Sequence, residues 1–512
     1  MNIVYLGAPI TVNLSVGQTI AVNTTGTVTV ECVSGLGLTD GATIGSIHGS
    51  ATYGPFSAVG VARITATVRD GAYEVSDGQP IPIDTVLASS GQTVLDDASA
   101  PVVKKLSSAG ASMIGVRYVN NVAFSNFDTS SFRQIFQVPV TGLVAVRAVY
   151  ETDATAAVPA ISNTAFSAGR SISDTNPLDA SGSAAAWRVV TSTTVSAASA
   201  SLATDGNVGV GKSAWVYLNV PAPTDGGQGG YVYVGTKLAS GTAKGLVGNA
   251  SRPTSDWGNT INALLPAMKY RSFYSSGDYV TTNQNAQPTT AEAYFNPVAQ
   301  LDLIPLKKVV WGVNIGDSTS QGLGTGTPAV QPYNYNWAHV GAHARLQSGV
   351  AITVTNDAYE GKPSAFYLGT PGGSSGRLAL LLQDADFYPS FVIIQPFSVN
   401  DGTFTQATVD SAILNALQLA QACRKRGILP ILRTIVPAST TTLAQDNIRK
   451  AGNAAIVAAG EAIFDMDAVV TDGASPARMQ AAYVQADGIH LNKAGNDAVG
   501  VAFARFLQGN GF

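Results

Sequence analysis

Residues 308–318 read Lys-Val-Val-Trp-Gly-Val-Asn-Ile-Gly-Asp-Ser, and this stretch decides how the last two hundred residues fold. An apolar run of strand length, 308–316, leads straight into Gly316-Asp317-Ser318. A glycine there permits a tight exit turn, and the serine opens a loop toward a helix, where backbone N–H groups are free to bind an anion. Downstream, apolar runs of strand length alternate with amphipathic stretches of helix length. Strands are expected over 350–356, 391–397, 428–436 and 462–467, and helices over 336–347, 376–385, 408–426, 442–459 and 493–507. Gly427 follows the third of these helices where a C′ glycine belongs. This βαβα alternation predicts a parallel sheet covered by helices on both faces, with the site beyond the carboxyl ends of the strands.

Upstream of residue 303 the texture is different. Residues 1–87 are rich in Val, Ile and Thr, with Gly, Asn and Asp as punctuation, as in 19–22, 28–33 and 61–68. They predict a small sandwich or barrel-like β domain that ends at the turn cluster Ser76-Asp77-Gly78-Gln79-Pro80. Residues 88–128 read as a less regular linker, with slight helical character over 98–107 and a short apolar strand near 112–119. Residues 129–302 return to strands, with a short helical stretch near 260–269, and predict a sandwich or jelly-roll of the kind that binds carbohydrate. The expected architecture is therefore multidomain. Two N-terminal all-β domains of sandwich or jelly-roll kind precede a C-terminal three-layer α/β domain at 303–512.

Composition narrows the partners. The 512 residues are 45% hydrophobic but only 12% charged, with a net charge of −4. That low charge suits an extracellular or assembly-embedded β protein. The densest basic run, Arg424-Lys425-Arg426, falls at a helix end, where cations favour the dipole, so no nucleic-acid partner is expected. No apolar run is long enough to span a bilayer, and the N-terminus alternates like a strand, unlike a signal peptide. Cys32 and Cys423 are far apart, which argues for two buried thiols without a disulfide framework. His339 and His343 are four apart on an expected helix, but the Glu of a metalloprotease motif is missing between them, so they are expected on a solvated helix face or in the core, and no metal or cofactor is expected.

Two further islands complete the chemistry: Val399-Asn400-Asp401 and Asp487-Gly488-Ile489-His490. With Ser318 they supply a nucleophile, a base, a carboxylate three residues before that base, and a side-chain amide. Those are the parts of an acyl-transfer site. Each motif alone is commonplace: a turn, a helix cap or an Asx turn. Their order along the chain and their places at the ends of elements give them weight together.

In these residues the chain resembles the SGNH hydrolases, the GDSL-like esterases and lipases, over about 303–512 and nowhere before. Gly316-Asp317-Ser318 matches the family's first block, Gly361 of Asn356-Asp357-Ala358-Tyr359-Glu360-Gly361 the second, Ser398-Val399-Asn400-Asp401 the third, and Asp487-Gly488-Ile489-His490 the fourth. The resemblance implies Ser318 as nucleophile, His490 as base and Asp487 as its orienter. It implies an oxyanion hole made by the Ser318 N–H, the Gly361 N–H and the Asn400 amide, with Gly369, Gly372 or Gly373 as alternatives to Gly361. Two departures stand out: Thr319 where leucine is common, and Ser398 where glycine is usual.

Tyr333, Tyr335 and Trp337 follow the nucleophile in Tyr333-Asn334-Tyr335-Asn336-Trp337 and are expected either to stack on sugar rings or to cap and pack the following helix. The expected substrate is an O-acetyl ester on a bacterial surface polysaccharide, capsule or O-antigen. The opening region resembles the small N-terminal modules of bacteriophage and prophage tail proteins. That likeness implies a virion or extracellular location and a homo-oligomer, such as a trimer, alongside other tail proteins. The alternatives are a tail protein that only binds glycan and a free secreted esterase or lipase. With all its site residues inside 303–512, that segment is expected to fold and hydrolyse esters alone.

Overall fold

The computed structural model describes 113–250, 295–322, 336–369 and 376–512 apart from short gaps, together with strands and adjoining turns within 2–76 and 270–284; 77–112, 251–269, 285–294, 323–335 and 370–375 lie outside the described residues. The turn cluster at 76–80 and the helical readings at 98–107 and 260–269 fall in or at the edge of those segments. The chain divides into two compact units, Met1–Ser89 and Ser90–Asn510. In the first, the described strands form one six-stranded antiparallel sheet. The two runs expected at 19–22 and 28–33 are a single strand, Thr19–Gly35, whose register with Thr43–Tyr53 shifts between Thr24 and Thr27. A bulge of this kind interrupts the ladder without ending the strand.

The second unit begins with two antiparallel sheets, one of five strands and one of eight. They share one core: Phe132, Phe136 and Val232 of one sheet lie in the same buried cluster as Val144, Val146 and Leu303 of the other. Tyr150 crosses between the sheets, with its hydroxyl 2.6 Å from Thr164 Oγ1 and 3.1 Å from Thr236 Oγ1. The stretch read as a linker contributes the strand Ile114–Val116, which pairs with Gln300–Pro305. The boundary expected at 302/303 falls inside that second strand.

After the turn at 306–309 the chain enters a five-stranded parallel sheet. Its strands are β1 (Val310–Gly316), β2 (Ile352–Ala358), β3 (Phe391–Ile394), β4 (Leu429–Arg433) and β5 (Ala462–Phe464), in the order β2-β1-β3-β4-β5. The order reverses at β1, so the end of β1 is a topological switch point. Gly312 is required by close packing, because a Cβ there would run into the Phe391 ring of the neighbouring strand.

The helices are α1 (Ser318–Gln321), α2 (Trp337–Gln347), α3 (Ser364–Leu368), α4 (Arg377–Leu381), α5 (Gln406–Lys425), α6 (Leu443–Ala458), α7 (Met466–Val470) and α8 (Lys493–Gly509). The long ones start where the sequence places side-chain caps: Asn336, Thr405, Thr442 and Asn492. The helix expected over 376–385 is only the short α4. The apolar core is continuous from the antiparallel sheets into the parallel one. The edge of β2 is covered rather than open: Asn356 N donates to Arg117 O at 3.0 Å and Thr355 Oγ1 to Gly115 O at 2.7 Å.

Candidate active site

Ser318 is the first residue of α1, immediately beyond β1, and is 4% exposed. Asp317 caps this short helix, its carboxylate accepting from Thr319 N at 2.8 Å and Thr319 Oγ1 at 2.7 Å. The serine backbone N–H therefore sits among the first N–H groups of a helix, which have no intrahelical partner. Gly316 serves a different purpose from the exit turn expected of it. A Cβ there would collide with the Ser320 hydroxyl and the Gln395 amide, so glycine lets the α1 turn close onto β3.

His490 reaches this serine from the loop before α8. Its Nε2 is 2.8 Å from Ser318 Oγ and its Nδ1 is 2.6 Å from Asp487 Oδ2. The other oxygen of Asp487 accepts from the N–H groups of Ile489 and His490, at 2.9 and 3.1 Å. The carboxylate and imidazole thus share an Asx-type turn, with Gly488 at φ +72°, in place of the helical turn expected from their spacing. A bond from Ser439 N to Gly488 O, 2.7 Å, ties this loop to the one after β4. The imidazole is 13% exposed and Asp487 26%, so both face a solvent-accessible site.

Asn400 lies in a 3-10 turn after β3, capped by Ser398. Its Nδ2 is 3.3 Å from Lys362 O and 3.2 Å from Ser398 Oγ, which sets the amide beside the residue after Gly361. Gly361 is exposed, with φ +67° and open space where a Cβ would stand. Gly369 has its N–H bonded to Ala365 O at 2.9 Å as a helix C-cap, so it has no N–H to offer an anion. Gly372 and Gly373 lie outside the described residues.

The two departures from the family pattern turn out to be neighbours beneath the serine. Ser398 Oγ is 2.7 Å from Asp317 Oδ2, and Thr319 Oγ1 accepts from Arg433 Nη2 at 2.6 Å. Burial pushes the Arg433 guanidinium below its ordinary value, opposed by Asp317 and Tyr367. Asp317, fully buried, thus supplies an opposite charge there while capping α1. Sequence reading flagged Thr319 and Ser398 as deviations but missed Gln395. Its Oε1 accepts from Asp317 N at 3.2 Å and Ser320 Oγ at 2.8 Å. A buried glutamine directly after an apolar strand was the available signal.

Of the three aromatic residues, Trp337 takes the second of its two expected roles, packing the helix, and the substrate contact expected of it is corrected. It is 0% exposed, stacked on Phe464 with centroids 5.4 Å apart and edge-on to Phe503 at 5.2 Å. It starts α2 and points into the core, where no sugar reaches. Tyr333 and Tyr335 lie outside the described residues. His339 and His343 take the core, the second of the two places expected of them, and not a solvated helix face. His339 Nε2 lies 3.1 Å from Arg117 O and 2.9 Å from Val354 O, bonding that makes it the N–H nitrogen and the ring a core pin. Cys32 and Cys423 are both buried. Among the described residues no His, Cys, Asp or Glu cluster is placed to hold a metal ion, and no helix is long and apolar enough to cross a membrane.

A cleft of about 230 Å³ is lined by Phe397, Val399, Phe404, Val436, Arg449 and Ile489; Val399 and Ile489 are the chain neighbours of Asn400 and His490. Its apolar residues come from the loops after β3 and β4 and from the histidine loop.

Fold and site together define an α/β protein with a Ser-His-Asp constellation at the switch point of a parallel sheet. No family model matches the chain, and no curated protein does. Solved structures similar to it include TesA, at 23% identity over 39% of this chain and 98% of that one, TM-score 0.31. A GDSL-like lipase from Bacteroides thetaiotaomicron is 17% identical over 39% of this chain and 89% of its own, TM-score 0.28. The psychrotrophic esterase EstA from Pseudoalteromonas is 17% identical over 39% and 97%, TM-score 0.29. The functional conclusion stands on the site's own geometry.

Proposed function

We propose that the protein is a serine carboxylic ester hydrolase. The observation that carries this is the unbroken chain Asp487–His490–Ser318, with contacts of 2.6 and 2.8 Å. Asp487, accepting from Nδ1–H, leaves Nε2 with its lone pair toward the serine hydroxyl. His490 takes the hydroxyl proton as Ser318 Oγ attacks the ester carbonyl, and Asp487 stabilises the imidazolium. The oxyanion is held by the N–H groups of Ser318 and Gly361 and by the Asn400 amide, whose present contacts of 3.2 and 3.3 Å are long enough to yield to an anion. Losing one such donor costs about 10²–10³ in rate. His490 then protonates the leaving alcohol, and water, activated the same way, releases the acid. The chemistry calls for no cofactor.

The finer reading is an O-acetyl ester on a bacterial surface polysaccharide, in a tail protein of a phage. Its support is the 12% charge of the chain and the β-rich region upstream of the hydrolase fold. The cleft that sets Phe397, Phe404, Val436 and Ile489 beside Gln445 and Arg449 favours a second reading, an acyl chain longer than acetyl, because each methylene buried on its apolar side gains about 0.8 kcal/mol. Hydrolysis of p-nitrophenyl esters from acetate to octanoate, by wild type and Ser318→Ala, tests both levels. Turnover by wild type and none by Ser318→Ala supports the hydrolase. A steep fall with chain length favours acetyl, and a rise to octanoate favours the longer chain.

A further inference from the structure

Arg117 and Glu151 belong to the antiparallel part of the second unit, yet their side chains end beside the loop that carries Gly361. Arg117 follows the strand Ile114–Val116, and Glu151 lies on Gly142–Thr152. With Arg377 of α4 and Asp357 of β2 they form a closed ring of two cations and two anions. Arg117 Nη2 bonds Glu151 Oε2 at 2.5 Å, and Arg117 Nη1 bonds Asp357 Oδ1 at 3.0 Å. Arg377 Nη2 meets Glu151 Oε1 at 2.6 Å, and Arg377 Nε meets Asp357 Oδ2 at 2.8 Å. All four side chains are at most 7% exposed.

Tyr359 is laid against this ring. Its hydroxyl donates to Glu151 Oε2 at 2.9 Å, and both guanidinium carbons stand 5.8 Å from its ring centre. Its backbone N–H donates to Gly316 O at 2.9 Å, two residues before the nucleophile. Two residues later in the chain comes Gly361. The ring therefore grips the segment between the nucleophile strand and the second oxyanion donor from a side the α/β domain does not supply. Burying two ion pairs is a poor route to stability alone, since desolvation offsets most of the attraction. It does fix geometry, because each group has one arrangement that leaves no charge unpaired.

We infer that Arg117 and Glu151 are positioning residues for ester hydrolysis, setting the place of the Gly361 N–H through Asp357 and Tyr359. The oxyanion pocket is thereby assembled across the join between the antiparallel sheets and the α/β domain. This rests on the hydrolase reading above.

The test uses the full chain with p-nitrophenyl acetate. Tyr359→Phe, Glu151→Gln and Arg117→Lys are compared with Arg147→Lys. Arg147 is a second buried residue at the same join, bonded to Asp302 at 2.8 Å and Asp386 at 3.1 Å, with no link to the Gly361 segment. Tyr359→Phe removes one hydroxyl and keeps the charges paired, so it reports even where the charge variants fail to fold. Its kcat should fall about tenfold with KM nearly unchanged, the signature of lost transition-state contacts. Arg147→Lys should lose thermal stability and keep kcat. The inference is overturned if folded Tyr359→Phe keeps wild-type kcat, or if Arg147→Lys loses as much. An inactive wild-type chain would overturn the hydrolase reading instead.

Discussion

Ser398 Oγ lies 2.7 Å from Asp317 Oδ2, joining the residue before Ser318 to the cap of the turn that presents Asn400. One hydroxyl thus holds α1 and the Asn400 turn in register. Ser398→Ala leaves a buried carboxylate oxygen and the Asn400 N–H without this partner, at about 1–3 kcal/mol. The expected outcome is a lower melting temperature with kcat reduced more than KM is changed. Calorimetry and steady-state kinetics on a short ester check both.

Asp487→Asn should be nearly as damaging as loss of the base. An amide facing Nδ1 from 2.6 Å can donate its N–H there, which selects the wrong imidazole tautomer. A drop of about 10⁴ in kcat is expected, with the fold intact by circular dichroism.

The ion ring predicts an acid-sensitive term in stability. Burial alone would raise the Glu151 carboxyl, but Arg117 and Arg377 outweigh it and hold it at about 2, down from 4.5. A depressed carboxyl contributes stability that is complete above its unfolded value and is lost as pH falls through its folded value. Between about pH 4.5 and about pH 2 the melting temperature should therefore drop. The gap between wild type and Glu151→Gln should be widest at neutral pH and shrink over that window. A gap that grows on acidification would contradict the pairing.

Cutting the chain at 303 should not leave a working enzyme, contrary to the expectation from the sequence. The cut divides the strand Gln300–Pro305, uncovers the β2 edge, and strands Asp357 and Arg377 without Arg117 and Glu151. A fragment from 303 should aggregate or turn over far more slowly than one beginning before Met113. Proteolysis resistance and ester hydrolysis of the two fragments decide it.

Trp337→Ala should act through the fold alone. Its ring fills the core against Phe464 and Phe503, so truncation costs about 3–5 kcal/mol. Activity on every ester, polymeric or small, should fall in proportion to the folded fraction.

The parallel sheet was legible because β1 and β3 are mostly apolar runs, and α5, α6 and α8 carry side-chain caps or a terminal glycine. Ser318, Asp487 and His490, which the fold brings into contact, could be singled out because they stand at the ends of elements in a recurring order. Periodicity left two places open for Trp337 and His339 because α2 is buried on nearly every side, and the bonds of His339 to core carbonyls have no sequence signal. The ion ring was invisible because its partners, 117, 151, 357 and 377, are brought together only by tertiary contact. Gly316 was read for its backbone freedom, whereas what it supplies is the absence of a side chain.

The most direct test of the central claim is stoichiometric labelling with a p-nitrophenyl alkylphosphonate, mapped by peptide mass spectrometry. With His490 Nε2 at 2.8 Å from Ser318 Oγ, wild type should carry one phosphonyl group on Ser318 and lose esterase activity in step with its gain. A label on any other residue, or full turnover by protein already labelled at Ser318, would contradict it.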